Sequence, residues 1–204
     1  MGNYSLSVAV VGSLKSQNMI PSLSYGYTAG NQYRFNKVLG SLTLGGYDAA
    51  ILEPNELTIP MSSAGISDLT VNVNSITFSS HNNSQNICST PFPAMVDSTV
   101  PYLYLPFDVC KKFEDAFSIT YDNATELYLV NDTLHSQLLT QAANVTFTLT
   151  NITAQVMVEI VLPYQAFDLM AEYPLVQNAT RYFPLKRSQN ETQNTLGRTF
   201  LQEA

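Results

Sequence analysis

Hydrophobic positions follow a period of two over much of this chain, which predicts strands. The clearest case is residues 39–44, which alternate apolar and polar side chains and stop at Gly45 and Gly46, as a strand entering a tight turn does. In residues 69–79, Leu69, Val71 and Val73 fall on one face. Further strands are predicted at residues 22–30, 57–60, 127–130, 145–149, 156–162, 182–185 and 196–201.

After Pro106 the hydrophobic period changes to that of a helix. Phe107, Cys110, Phe113 and Phe117 recur at helical spacing with charged residues between them, which predicts an amphipathic helix whose aromatic stripe faces the core. Shorter helices are predicted at residues 13–20, at 132–140 and directly after Pro163. The predicted fold class is therefore mostly β with a few short helices, in a chain long enough to bury a sizeable core.

Composition excludes some classes of partner. Charged residues make up 12% of the 204 positions, the net charge is −7 and the isoelectric point is about 4.6. No basic patch is available to neutralise phosphates, so no nucleic-acid partner is predicted. No run reaches the roughly 18–20 apolar residues of a membrane span. The scarcity of Lys and Arg limits charge repulsion at low pH, which suits an acidic compartment.

N-glycosylation acceptors indicate a secretory history. Eight N-x-S/T sequons occur, at Asn3, Asn82, Asn123, Asn131, Asn144, Asn151, Asn178 and Asn190. Chance would give roughly three in a chain of this composition. No signal peptide is visible at the N-terminus. We therefore expect either a fragment of a longer secreted protein or a leaderless descendant of one, for which an intracellular location is the alternative.

Cys88 and Cys110 lie on either side of Asp97 in the sequence. In a secreted protein they predict one disulfide, which would close the loop that carries Asp97. In the cytosol they would be two buried thiols. The sequons favour the disulfide.

Most signatures of chemical sites are absent from the sequence. Two histidines, with no HExxH or CxxC motif, predict no metal site, and nothing indicates a cofactor. Asp97 stands out because it ends a small apolar run and precedes two hydroxyl residues and a Pro-bounded aromatic segment. A carboxylate at such a place needs hydrogen-bond donors, and Ser98, Thr99 and the backbone amides of a turn can supply them.

Three segments of the sequence resemble motifs of the pepsin-like aspartic peptidases, in particular of a fungal secreted branch. They occur in the same order as in that family. Residues 40–48 (GSLTLGGYD) resemble the segment that opens the C-terminal lobe of that family. Residues 95–99 (MVDST) resemble the catalytic "hydrophobic-hydrophobic-Asp-Thr-Gly" motif, and residues 195–201 (TLGRTFL) resemble the strand that crosses beside the catalytic loop.

The resemblance implies a single lobe of the pepsin-like β-barrel fold, truncated at both ends. Residues 1–37 would lead in from a missing first lobe, and residues 38–204 would form the C-terminal-lobe-like domain. Asp97 would be one of two catalytic aspartates, supported by Ser98, Thr99, Leu196 and Gly197, and the two cysteines would bracket the site as a lobe disulfide does. Thr99 departs from the motif, because it stands where the family has Gly.

Aspartic peptidases need two aspartates that share a proton, and this sequence has one such motif. The first hypothesis is thus an aspartic endopeptidase lobe that is not competent alone and needs a second lobe or a homodimer. The second is a non-proteolytic lobe that binds a hydrophobic peptide or small molecule, for instance as an accessory or cyclising protein in a fungal biosynthetic pathway. The third is a truncated product without a stable fold, because an unpaired sheet edge would expose apolar surface.

Overall fold

A computed structural model describes residues 10–31, 33–34, 38–61, 69–81, 83–151 and 155–204 and shows two compact units, Met1–Asn55 and Glu56–Ala204. The first unit contains a helix, α1 (Val10–Ser16), and two antiparallel strands, β1 (Tyr25–Thr28) and β2 (Ser41–Leu44). The turn predicted after residue 44 is present: Gly45 has a φ of 81°, and its amide donates to Ser24 O. The left-handed conformation explains the glycine at this position.

The second unit contains the remaining strands. In chain order they are β3 (Thr70–Ser79), β4 (Ser84–Cys88), β5 (Phe92–Val96), β6 (Leu103–Leu105), β7 (Thr120–Asp122), β8 (Leu127–Leu129), β9 (Asn144–Asn151), β10 (Val156–Pro163), β11 (Leu169–Ala171), β12 (Thr180–Phe183), β13 (Leu185–Arg187) and β14 (Thr195–Leu196). Among the described residues they form an eight-stranded sheet in the order β10-β9-β3-β5-β14-β6-β13, with β4 also paired to β3, and a four-stranded sheet in the order β11-β12-β8-β7.

A bulge in β3 changes which of its residues face the core. Val73 is fully buried, as are Ile76 and Phe78, so the buried positions switch from odd to even numbers along the strand. The pairing of β3 with β9 shifts between Val73 and Ser75, and the extra residue accounts for the switch. The predicted face of Leu69, Val71 and Val73 therefore ends at the bulge.

Two helices of the second unit begin and end close to their predicted positions. They are α2 (Phe107–Phe117) and α3 (Asp132–Thr140), and short 3-10 helices cover Tyr164–Phe167, Glu191–Gln193 and Phe200–Gln202. The side chain of Asn131 caps α3 by accepting a hydrogen bond from Leu134 N at 2.8 Å. A capping oxygen satisfies an amide that otherwise lacks an intrahelical partner, so the helix start is encoded locally.

Aromatic side chains form the centre of the second unit. Phe113 and Phe117 of α2 pack with Phe167 and Phe183, and the rings of Phe167 and Phe183 stack with centroids 4.5 Å apart. Most of the predicted stripe is therefore core. Phe107 is the exception, because it is 53% exposed, and Val109 occupies the buried position in the first turn of the helix.

Two predicted strands were wrong. Residues 57–60 have no regular secondary structure, and Pro60, which lacks an amide hydrogen, cannot donate to a sheet. The predicted strand at residues 196–201 ends after Leu196 and turns into a 3-10 helix. The short strands β4, β5 and β6 were not predicted as strands, because three to five residues carry little periodicity.

The mostly β fold class is confirmed. The predicted boundary between residues 37 and 38 stays a prediction, although β1 and β2 pair across it and the compact units divide after Asn55. Among the described residues, none of the helices has the length and apolar character needed to span a bilayer.

Candidate active site

The loop that carries Asp97 joins β5 to β6, and β14 lies between these two strands in the sheet. β14 pairs in parallel with β5, with Leu196 opposite Val96, and antiparallel with β6, with Leu196 opposite Leu103. Leu196 and Leu103 are fully buried, and a slip of β14 by one residue would bring the Leu196 side chain to the other face of the sheet. This register places Asp97 directly after β5, where its amide donates to Leu196 O at 3.2 Å.

Thr99 holds the carboxylate of Asp97. The Thr99 amide donates to Asp97 Oδ1 at 2.8 Å, and the Thr99 hydroxyl donates to the same oxygen at 2.7 Å. Asp97 Oδ2 accepts no hydrogen bond from the part of the chain that the structure describes. Asp97 itself is half-buried, whereas Ser98 and Thr99 are exposed. One carboxylate oxygen is therefore held by two donors, and the other has no hydrogen-bond partner among the described residues.

A segment of three residues, Gly197, Arg198 and Thr199, holds the backbone of this loop, and we refer to it as the clamp segment. It donates hydrogen bonds to five consecutive loop carbonyls. In loop order the bonds are Arg198 Nη1 to Ser98 O (3.0 Å) and Thr99 O (2.9 Å), Arg198 N to Val100 O (2.7 Å), Thr199 N (3.3 Å) and Thr199 Oγ1 (2.7 Å) to Pro101 O, and Gly197 N to Tyr102 O (3.1 Å).

Gly197 is required at the start of the clamp segment because of this close approach. A Cβ atom built there would lie 2.3 Å from Val100 O and 2.3 Å from Tyr102 O. Both are backbone atoms of the loop and cannot move aside as a flexible side chain can. A side chain at position 197 would therefore push the clamp segment away from the Asp97 loop.

Comparison with known proteins identifies the family of the chain. A sequence model of a protein family, described as eukaryotic aspartyl protease, matches residues 3–204. The chain belongs to the eukaryotic aspartyl protease family. This family member is also similar in fold to the aspartic proteinase from Irpex lacteus, with a TM-score of 0.62 and 19% sequence identity over 95% of this chain. The chain spans 55% of that structure. None of the curated proteins compared with this family member matches it.

All five residues predicted for the site lie together in the aspartyl protease chain. Asp97 and Thr99 are hydrogen-bonded, Leu196 and Gly197 bond to the loop backbone, and Ser98 lies at its exposed tip. The Ser98 hydroxyl makes no hydrogen bond within the described residues. The catalytic role of Asp97 and the supporting roles of the other four residues stay predictions.

Sequence reasoning missed Arg198 and Thr199. Both lie inside the TLGRTFL segment, but only Leu196 and Gly197 were given roles. A signal was available, since a cationic side chain follows a glycine in a segment predicted to cross beside a loop. What it contacts depends on a pairing between residues that are 100 positions apart in the sequence.

The structure corrects the predicted disulfide, because Cys88 and Cys110 are both buried free thiols. Each thiol contacts backbone carbonyls. Cys88 Sγ donates to Thr90 O at 3.2 Å, and Cys110 Sγ lies 3.4 Å from Leu105 O and 3.6 Å from Lys186 O. Burial raises the pKa of both thiols, that of Cys110 to about 12. Both side chains thus act as small buried residues with weak donors.

The six predicted glycosylation acceptors that the structure describes fall into two groups. Asn123, Asn131, Asn178 and Asn190 are exposed in loops and turns. Asn144 and Asn151 are partly buried, and their Nδ2 atoms donate to Ala142 O at 2.9 Å and to Thr58 O, respectively. Asn3 and Asn82 lie outside the described residues.

A partly exposed apolar cluster includes Tyr102, whose carbonyl the clamp segment binds. Tyr102 packs with other partly exposed side chains around the buried Leu127, Ala171 and Tyr182. Burial raises the pKa of Tyr102, and burial followed by the nearby Tyr102 raises the pKa of Tyr182 to about 12. Both phenols therefore stay protonated in acidic and neutral solution.

Two open depressions lie elsewhere on the protein. One is on α3, lined by Thr133, Ser136 and neighbouring residues, and the other includes Glu114 and Arg187. Asp97 lines neither of them. Within the described ranges, no group of three or more His, Cys, Asp and Glu side chains is placed to hold a metal ion.

Proposed function

We propose that this chain supplies Asp97 as one of the two catalytic aspartates of an aspartic-type endopeptidase. The observation that carries the proposal is the asymmetry of the Asp97 carboxylate. Oδ1 receives two hydrogen bonds from Thr99, and Oδ2 accepts none from the described residues. An aspartate pair needs one oxygen of each carboxylate held in place and another free to share a proton and contact water.

In this proposal Asp97 exchanges a proton, and Thr99 keeps its carboxylate oriented. Two carboxylates about 3 Å apart cannot both be ionised, so one takes a proton from water while the other donates one to the peptide carbonyl. The remaining aspartates of this sequence lack an Asp-Thr-Gly or Asp-Ser-Gly context. We therefore expect the chain to need a second aspartate-bearing lobe, or a second copy of itself, for cleavage.

An acid-pH assay with Asp97→Asn tests the proposal. This substitution keeps the shape of the side chain and removes its ionisation. We expect no cleavage of a hydrophobic peptide by the purified chain alone. We also expect a transition-state inhibitor of the family to shift the backbone amide resonances of Ser98 and Thr99 in wild type, and this response to be lost in the variant.

Asp115→Asn is the matched control, because Asp115 is an exposed carboxylate on α2. It should respond to the inhibitor as wild type does. Cleavage that persists after Asp97→Asn would exclude Asp97 as a catalytic residue. An inhibitor response that persists in Asp97→Asn would exclude it as the group that recognises the transition state.

The apolar cluster around Tyr102 favours a second candidate function, in which the lobe binds a hydrophobic peptide or small molecule without cleaving it. Tyr102, Leu129, Leu169 and Val176 are partly exposed there. Such an activity would suit an accessory or cyclising protein of a fungal biosynthetic pathway. Under this alternative, Asp97→Asn would leave the affinity for an apolar peptide unchanged, whereas Leu169→Asp would weaken it at least about tenfold, because a charge would replace an apolar contact.

We also propose that the chain enters the secretory pathway and carries glycans at its four exposed sequons. Asn123, Asn131, Asn178 and Asn190 leave room for a bulky sugar. Peptide mass mapping of the chain secreted from a eukaryotic host, before and after removal of N-glycans, measures their occupancy. An unglycosylated chain after secretion would contradict the proposal.

A further inference from the structure

Thr99 is the donor residue of the site, and both peptide groups that flank it are bound at both ends. In the Ser98–Thr99 peptide, the amide donates to Asp97 Oδ1 at 2.8 Å, and the carbonyl accepts from Arg198 Nη1 at 3.0 Å. In the Thr99–Val100 peptide, the amide donates to Asp97 O at 3.3 Å, and the carbonyl accepts from the same Arg198 nitrogen at 2.9 Å.

Peptide planarity makes this arrangement informative. The amide and carbonyl of one peptide group lie in a common plane, so fixing the carbonyl also fixes the direction of the amide hydrogen. A guanidinium bound to the carbonyl further polarises the group and strengthens the hydrogen bond that its amide donates. Arg198 can therefore influence Asp97 through the backbone without touching its carboxylate.

The sequence of the loop explains why such a support is needed. No glycine is present among Asp97, Ser98 and Thr99, and both Ser98 and Thr99 are exposed. The backbone of the clamp segment reaches the carbonyls of residues 100–102 but not those of Ser98 and Thr99. Within the described residues, the Arg198 side chain is the group that binds these two carbonyls.

We infer that Arg198 is a positioning residue that orients the Thr99 donors toward the carboxylate of Asp97. Its catalytic consequence rests on the function proposed above. Its structural role does not depend on that function, and it can be measured without an activity assay.

Amide hydrogen exchange in the full chain, followed residue by residue by NMR, tests the inference. The variant is Arg198→Met, which keeps the length of the side chain and removes its donors. Because hydrogen bonds to charged groups are strong, we expect the Thr99 and Val100 amides to exchange roughly tenfold faster. The amide of Phe147, a fully buried residue of β9, should exchange at the wild-type rate.

Lys112→Met is the matched control, since it removes one positive charge from an exposed position on α2. It should leave the Thr99 exchange rate unchanged. Arg198→Lys keeps the charge and loses the planar fork, so its Thr99 rate should fall between those of wild type and Arg198→Met. If Arg198→Met does not fold, Arg198→Leu, which also lacks a side-chain donor, replaces it under the same criteria.

Unchanged exchange at Thr99 in the Arg198 variant would overturn the inference. Equal acceleration at Thr99 and Phe147 would overturn it as well, because Arg198 would then act on global stability. Failure of the proposed function would give a different result. The inhibitor would shift the same amide resonances in Asp97→Asn as in wild type, while the Thr99 exchange rate would still depend on Arg198.

Discussion

At the scale of single residues, the Asp97 site depends on Thr99 and Gly197. Thr99 stands where the family motif has glycine, yet its amide still reaches Asp97 Oδ1 and its hydroxyl adds a second donor. The substitution therefore exchanges backbone freedom for an additional hydrogen bond. Gly197 cannot be replaced in the same way, because backbone carbonyl oxygens lie too close to the position that a Cβ atom would take.

Gly197→Ala should lower the free energy of unfolding by about 1–3 kcal/mol, the usual cost of overpacking. The reason is the 2.3 Å approach of the new Cβ to Val100 O and Tyr102 O. Chemical denaturation measures the effect. Gly46→Ala is the control, since a Cβ at Gly46 meets nothing within 4 Å, and it should change stability by less than about 0.5 kcal/mol. Equal effects in the two variants would contradict the packing argument.

The two cysteines should react slowly with a thiol reagent in the native chain at neutral pH. The thiolate is the reactive form, and burial holds the pKa of Cys88 above its usual value and that of Cys110 at about 12. After unfolding in denaturant without reductant, two thiols per chain should react. If none reacts, the disulfide predicted from the sequence forms in the protein.

At the scale of elements, α2 is attached to the sheets by both apolar and charged contacts. Its aromatic residues enter the core, and Glu114 accepts hydrogen bonds from Arg187 Nη2 at 2.8 Å and from the Tyr128 hydroxyl at 2.9 Å. The Arg187 guanidinium also lies 3.9 Å from the centroid of the Tyr121 ring. This cluster connects α2 to β7, β8 and β13.

Glu114→Gln should destabilise the chain at pH 7 by roughly 2 kcal/mol, because a charge-assisted hydrogen bond is lost. Burial alone would raise the pKa of Glu114, but the hydrogen bonds from Lys111, Arg187 and Tyr128 outweigh it and lower the pKa below 4.5. A lowered folded-state pKa gives stability that is complete above pH 4.5 and is lost as the pH falls through the folded-state value.

The difference in unfolding free energy between wild type and Glu114→Gln should therefore shrink as the pH falls from 5 to about 2.5, as measured by urea titration. Asp115→Asn, at an exposed position on the same helix, should differ from wild type by less than about 0.5 kcal/mol at each pH. A difference for Glu114→Gln that does not depend on pH would show that the ionised carboxylate adds no stability.

At the scale of the whole molecule, the chain consists of two compact units, Met1–Asn55 and Glu56–Ala204. Residues 52–61 contain no helix or strand, and they are largely exposed. Thr58 is tied to β9 of the second unit, because Asn151 Nδ2 donates to Thr58 O.

A glutamate-specific protease should therefore cleave first after Glu53 or Glu56. Exposed backbone without regular structure fits a protease site, whereas the other glutamates lie in strands, helices or hydrogen-bonded turns. Mass spectrometry at short times should detect a lasting fragment that ends at Ala204. Initial cleavage at Glu126 or Glu172 instead would show that a protease reaches the turns of the second unit before it reaches residues 52–61.

Local features could be predicted from the sequence because they depend on neighbours in the chain. The helical spacing of Phe113 and Phe117, the helix at residues 132–140 and the turn at Gly45 follow from residues a few positions apart. The three segments at residues 40–48, 95–99 and 195–201 together also predicted the family. Phe107 was misjudged because helical spacing alone does not tell which end of a stripe leaves the core.

Only the tertiary structure decided how the parts of the site meet. The pairing of β14 between β5 and β6 brings Arg198 to carbonyls about 100 positions away in the sequence, and no local pattern encodes such a contact. The same applies to the thiols, whose free state depends on how α2 and β4 orient Cys110 and Cys88. The sequence determined that Asp97 needs hydrogen-bond donors. The tertiary structure showed that Thr99 provides them and that Arg198 binds the carbonyls on either side of the Thr99 amide.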